Sequence, residues 1–251
     1  MHQPRKIRYG SLDSYVIDDT DENPPSALVV LCHGYGAPGS DLVGIVEEWV
    51  YMLGESASNF RFICPIAPHS LADIGLPSGR AWWPLNMARL MEAVQAQCFE
   101  ELHRETPPGL DLARSALSEL INEAKQEIAD QRDCPVQSIP LAIGGFSQGA
   151  MLTMDAALRG QITPPDLLIQ FSGTIICQPQ WTESMGRLEN TQVYQSHGTV
   201  DPLLPFSSAQ RLRDMLVDAG VSVEFHDFTG PHTIDGQAIV STAVALKHLL
   251  G

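Results

Sequence analysis

Four stretches of this chain are apolar on consecutive residues and not only on alternate ones, which limits the fold more than any other feature. They are Ala27–Cys32, Phe60–Cys64, Leu141–Phe146 and Leu167–Phe171. Each is too short to be a helix of ordinary length, and two run through valine, isoleucine or phenylalanine in succession. A strand apolar on both faces belongs in a parallel sheet covered on each side by helices. Two further strand-like runs, Gln192–Gln195 and Val221–Phe228, follow. Helical patterns fall between them, at about residues 40–54, 148–159, 206–219 and 234–249. The reading is an α/β chain with a doubly wound, mostly parallel sheet and helices on both faces. The opening Ile7–Ile17 alternates instead and contains Gly10, which predicts an antiparallel hairpin at the sheet edge.

One interval breaks the rhythm. Residues 84–133 read as a long helical insertion broken at Pro107-Pro108-Gly109. Its first half spaces Met87, Leu90, Met91, Val94, Cys98 and Leu102 by threes and fours, one face of a helix. That face suits either an amphipathic helix lying on the sheet or a cap over a cleft. No composition shift or repeat divides the 251 residues, so one domain spanning 1–251 is expected.

Composition narrows the function. Fifteen Lys and Arg face thirty Asp and Glu, a net charge of −15. Nucleic-acid binding needs clustered cations, so no nucleic-acid partner is expected. The longest apolar run is far shorter than a membrane span. The start carries no apolar stretch of the signal-peptide kind. Five cysteines, an odd number without Cys-x-x-Cys spacing, read as reduced thiols of a cytoplasmic protein. No His, Cys, Asp and Glu set has zinc spacing, so no metal is predicted.

The chemistry concentrates at Gly145-Phe146-Ser147-Gln148-Gly149, a G-x-S-x-G that follows an apolar strand directly and opens a helix. That setting lifts a serine hydroxyl above the carboxyl edge of a parallel sheet. Serine is a poor nucleophile at neutral pH and needs a base held by an acid. Two later strands each lead into a candidate, one acid and one base. Gln192–Gln195 leads into Ser196-His197-Gly198-Thr199-Val200-Asp201, and Val221–Phe228 into Thr229-Gly230-Pro231-His232. Ser147, Asp201 and His232 are therefore the predicted catalytic residues, in the chain order of α/β-hydrolases. His33 and His197 also follow strands, but each precedes a glycine and reads as a loop brace. Asp235 reads as the cap of the last helix.

Gly34-Tyr35-Gly36-Ala37-Pro38-Gly39 spells the dinucleotide fingerprint G-x-G-x-x-G. Two features oppose that reading. The end of the next strand, Pro65-Ile66-Ala67-Pro68, offers no acid for a ribose, and Pro38 removes an amide from a loop that would have to donate to phosphate. The loop is better read as one wall of an oxyanion hole, with the backbone N–H groups of Tyr35 and Gln148 as donors. No cofactor is expected.

The sequence resembles the carboxylesterase/phospholipase family that includes acyl-protein thioesterases. The likeness rests on Leu31-Cys32-His33-Gly34-Tyr35-Gly36, Gly144–Gly149, His197–Pro205 and Gly230-Pro231-His232. It implies an α/β-hydrolase fold, the triad and oxyanion donors just named, and hydrolysis of carboxylic esters or acyl thioesters. Gly79-Arg80-Ala81-Trp82-Trp83-Pro84 looks like the family's Trp-bearing segment beside the cleft. Trp82, Trp83, Met87 and Met91 are the predicted substrate-binding residues, though the same side chains suit a core. Ala37, Ala150 and Thr233 stand where the family often has Asp, Gly and Glu, and none of these positions carries a reacting group. Two other functions fit the same scaffold, a peptidase or amide hydrolase and a ligand-binding homologue without turnover. The insertion holds ten acidic residues against five basic ones. A solvated acidic surface there predicts preference for neutral or cationic esters.

Overall fold

Successive residues of a strand point to opposite faces, and the central strands bury both. In the computed structural model, which describes residues 3–18 and 24–250, Val29 joins a cluster with Trp49 and Leu246. Its neighbour Val30 joins another with Leu117 and Leu152. Each fully buried aliphatic side chain of this kind contributes about 1.5–3 kcal/mol, and together these two layers hold the sheet between its helices.

The chain enters through the antiparallel hairpin of β1 (Arg5–Tyr9) and β2 (Leu12–Ile17). Then come β3 (Ala27–Cys32), α1 (Val43–Leu53) and β4 (Phe60–Pro65). A two-residue pair, β5 (His69–Ser70) and β6 (Arg80–Ala81), precedes the helical interval of α2 (Met87–Ala96), α3 (Glu100–Arg104) and α4 (Leu110–Arg132). The rest alternates: β7 (Leu141–Phe146), α5 (Gln148–Arg159), β8 (Leu167–Phe171), α6 (Gln178–Ser184), β9 (Gln192–Gly198), α7 (Phe206–Asp218), β10 (Ser222–Phe228) and α8 (Gly236–His248). The eight-stranded sheet runs β1-β2-β4-β3-β7-β8-β9-β10, with β1 and β2 antiparallel and the six others mutually parallel. The hairpin lies at the sheet edge, as its alternation predicts.

Helices α1 and α8 cover one face, where Trp49 Nε1 donates to Ile239 O at 3.2 Å and Thr242 Oγ1 at 3.1 Å. Helices α4, α5 and α7 cover the other. Two buried carboxylates cross-link what the apolar layers bring together. Asp18 accepts from Arg61 Nε at 2.7 Å, and Arg61 also meets Glu127 of α4 at 3.0 Å. Asp155 of α5 accepts from Arg114 of α4, Arg159 and Trp181 of α6 at 2.7–3.0 Å. A carboxylate this deep is tolerable only when its oxygens are so paired.

The interval 84–133 is three helices. The stripe from Met87 to Leu102 does not form one continuous face, because Gln97 takes a left-handed conformation (φ 50°) and ends α2. Helix α4 lies on the sheet, while α2 and α3 stand over its carboxyl edge beside the cavity described below. The short α6 and the β5–β6 pair have no counterpart in the sequence pattern. Of the cysteines, Cys32, Cys64 and Cys177 are buried, whereas Cys134 is half-buried and Cys98 exposed. Among the described residues no helix is long and apolar enough to cross a membrane.

Candidate active site

The elbow follows from a collision that only glycine avoids. A Cβ at Gly149 would lie 2.0 Å from Cys32 O, and one at Gly145 would lie 2.5 Å from the same oxygen and from Gly149 C. With both absent, β7 turns into α5 within one residue, and Ser147 takes φ 55° and ψ −117°. Strain of this kind persists only where the surroundings over-determine it. Here Ser147 N donates to Phe171 O at 2.9 Å and Met151 N to Ser147 O at 3.1 Å.

Asp201 and His232 come from the ends of β9 and β10, which pair in parallel up to Gly198 and Phe228. Beyond that pair the two loops stay in contact, as Thr199 N donates to Phe228 O at 2.8 Å and Val200 N to Gly230 O at 3.2 Å. A side chain at Gly198 would meet Gly230 O at 2.3 Å, so the approach needs glycine. His232 Nδ1 then lies 2.6 Å from Asp201 Oδ2. The other oxygen, Oδ1, accepts from the amides of Leu203 and Leu204 at 2.8 and 2.9 Å. His197 Nε2 donates to Leu204 O at 2.8 Å and sits 3.3 Å from Asp201 Oδ2. Burial alone would push the Asp201 carboxyl up. The bonds from His197 and His232, attraction to His232 and the Leu204 amide outweigh it and hold the group well below the usual carboxylate range.

His232 has only Nε2 left for a second partner, and its ring packs on Phe146, centroids 4.8 Å apart. Ser172 Oγ donates to Thr233 O at 2.8 Å and fixes the next residue of that loop. Ser147 and His232 line one cavity without a direct hydrogen bond between them, a separation common in catalytic pairs before substrate binds.

Opposite the serine, the Tyr35 loop is braced by His33, whose Nδ1 donates to Gly34 O at 2.8 Å while Nε2 accepts from Ala67 N at 3.1 Å. Burial pushes this imidazole down, consistent with that neutral tautomer. The amides a phosphate would need are spent within the protein. Gly36 N donates to Arg80 O at 2.9 Å and Ala37 N to Gly34 O at 3.4 Å. Gln148 opens α5, so its amide has no intrahelical acceptor. Tyr35 and Gln148 both line the cavity.

That cavity encloses about 510 Å³ beside Ser147, walled mostly by Trp83, Leu85, Met87, Leu90, Phe99 and Ile176 among other apolar side chains. Two of the four predicted substrate-binding residues lie elsewhere. Trp82 turns behind the Tyr35 loop, its ring tilted against His33 at 5.5 Å with Nε1 donating to His33 O at 2.8 Å. The chain bends just after β6, at Trp82 and Trp83, and only Trp83 lines the cavity. Met91, one turn beyond Met87 on α2, is 37% exposed and lies outside the lining. One contributor escaped the motif reading. The Gln148 side chain accepts from Trp82 N and donates to Trp83 O, both at 2.9 Å, and so clamps that segment to the elbow.

A family model described as phospholipase/carboxylesterase matches residues 15–249. Acyl-protein thioesterase 1 of Neurospora crassa is 24% identical over 210 residues, covering 82% of this chain and 79% of that protein. Acyl-protein thioesterase 1 of Eremothecium gossypii is 30% identical over 193 residues, covering 74% and 71% respectively. The crystal structure of esterase PE8 aligns with a TM-score of 0.72 at 24% identity, over 95% of this chain and 99% of that one. Sheet order, elbow and sequence likeness agree: the chain belongs to the phospholipase/carboxylesterase family, a carboxylesterase/thioesterase-type hydrolase with the α/β-hydrolase fold.

Proposed function

We propose that the protein hydrolyses carboxylic esters or acyl thioesters through an acyl-enzyme on Ser147. The observation that carries this reading is the 2.6 Å pair of His232 Nδ1 and Asp201 Oδ2 in the same cavity as a serine on a strained elbow. With Nδ1 on the carboxylate, Nε2 takes the Ser147 proton as Oγ attacks the carbonyl carbon. Asp201 stabilises the resulting imidazolium and keeps the ring in its working tautomer. The amides of Tyr35 and Gln148 receive the oxyanion, where one such donor is worth about 2.7–4 kcal/mol in the transition state. His232 returns the proton to the departing alcohol or thiol. Water then attacks the acyl-enzyme with His232 again as base, releasing the acid.

The apolar walls around Trp83, Met87 and Leu90 take the acyl chain, and one hydrolase domain carries the whole machinery. Relatives that bear the name acyl-protein thioesterase support thioesters as substrates alongside oxygen esters. A panel of p-nitrophenyl esters from acetate to dodecanoate tests the proposal, with Ser147→Ala as control. Turnover that falls at least ~10³-fold in the alanine variant is expected. An active alanine variant, or a wild type inert to every ester, would overturn it.

A further inference from the structure

The acyl cavity is not apolar throughout. His103 lines it from α3, only 4% exposed, and neither ring nitrogen has a hydrogen-bond partner among the described residues. Thr174, 6% exposed and on the same cavity, has an equally unpartnered Oγ1. Thr106, also on the lining, is exposed and already accepts from Cys177 Sγ at 3.4 Å and Gln180 Nε2 at 3.5 Å, so it is not part of this unpartnered set. Phe99 stacks on the His103 ring at 6.2 Å and holds it in place. Buried polar groups in native proteins are normally satisfied, and two unpartnered side chains on one cavity point to the ligand as the partner.

We propose that this cluster is a subsite for a neutral hydroxyl on the acyl chain, so that the enzyme prefers hydroxyacyl esters or thioesters over plain alkyl ones. The inference rests on the reading of the cavity as the acyl site. Burial, and then the positive charge of Arg211, push His103 down to about 4. At neutral pH it therefore presents one N–H donor and one nitrogen acceptor. A hydroxyl answers both kinds of atom, accepting from one and donating to another. A methylene chain seated there leaves these groups without a hydrogen-bond partner. A carboxylate is a poorer fit. Arg89 on the lining is already held by Glu105 and Glu101, and the remaining polar groups of the cluster are uncharged at neutral pH.

The test compares p-nitrophenyl octanoate with the octanoates hydroxylated at the β, penultimate and terminal carbons. At least one hydroxylated ester should exceed the parent in kcat/KM by about tenfold, as one well-made net hydrogen bond allows. In His103→Leu that ratio should fall to about one or below, and Thr174→Val should lower it in part. His103→Asn, which keeps a donor and an acceptor, should retain part of the preference. A variant that slows all esters alike leaves the ratio unmoved and overturns the proposal, as does a wild type that prefers the parent octanoate throughout. Calorimetry with octanamide and its hydroxylated counterparts reads the subsite without turnover. Equal affinity for all the amides refutes the subsite even if esters are hydrolysed. Discrimination among amides by a protein that cleaves no ester refutes the hydrolase reading and leaves the subsite standing.

Discussion

Gln148 Nε2 donates to the carbonyl of Trp83 at 2.9 Å, across 65 residues of sequence, from the residue whose backbone amide begins α5. A single side chain thus ties the cavity wall to the elbow. Gln148→Ala should leave Trp82 N–H and Trp83 C=O unpaired in a buried position, at about 1–3 kcal/mol each. The expected outcome is a lower urea midpoint, together with a larger loss of kcat/KM on octanoate than on acetate, because the longer chain reaches the wall that shifts. Equal losses on both esters would show that the clamp does not shape the cavity.

Asp201 should show itself twice. Asp201→Asn is expected to lower kcat by about 10³–10⁴-fold while leaving the fold intact, since an amide cannot hold the imidazole in the right tautomer. The folded carboxyl is held below its unfolded value of 3.8. Its contribution to stability is therefore complete above that pH and is lost as pH falls toward the folded value. The stability gap between wild type and Asp201→Asn, followed by urea unfolding, should be widest at neutral pH and close below about pH 4.

His103 predicts a loss on the same acid flank, at higher pH. Its folded value of about 4 lies below the ordinary 6.5, so the unfolded chain binds the proton more readily. Stability should fall as pH drops from 6.5 and level off near 4. Thermal unfolding of His103→Leu across that window should give a shallower slope than the wild type. Identical slopes would mean that the imidazole keeps its ordinary affinity for protons.

Gly198→Ala tests how the loops meet. The added carbon would lie 2.3 Å from Gly230 O and 2.4 Å from Pro231 O, both backbone atoms next to His232. The loops must part, and His232 Nδ1 moves from its 2.6 Å partner. A drop in kcat of about 10²-fold is expected for a displacement near 1 Å, with circular dichroism retained and KM little changed.

Charge bears on substrate choice. Near the cavity mouth Glu105 and Glu101 share Arg89, and in the wider interval Asp111 binds Arg114, so part of the acidic excess is locally neutralised. The remainder still favours cationic over anionic esters of equal size. The ratio of their kcat/KM values should exceed one at low salt and shrink toward one as ionic strength rises. A ratio below one at low salt contradicts it.

Much of the fold was legible because its signals are local. Continuous apolar runs marked β3, β4, β7 and β8, and the glycines of the elbow marked the step from strand to helix. Asp201 and His232 could be found because each follows directly on a strand of the parallel sheet. What stayed hidden depends on residues far apart in sequence. Nothing near Asp155 announces that Arg114 and Trp181 will close on it, and nothing near Gln148 announces Trp82 and Trp83. The break at Gln97 carries no glycine or proline, so periodicity ran α2 and α3 together. Trp82 and Trp83 look alike in sequence and diverge at a bend that follows β6, which no local pattern announces. His103 stands in no catalytic motif, and only the fold reveals that it is enclosed.

The placement of His232 after β10, the last strand in sequence and an outer strand of the sheet, sets an order of events during synthesis. The nucleophile elbow can form once β8 is available to receive the Ser147 amide, some sixty residues before the base exists. A nascent or C-terminally clipped chain therefore carries the serine without the means to activate it. Recovery of esterase activity on refolding would then time the docking of a single edge strand, and a strand whose side chains are half exposed has the least to hold it there.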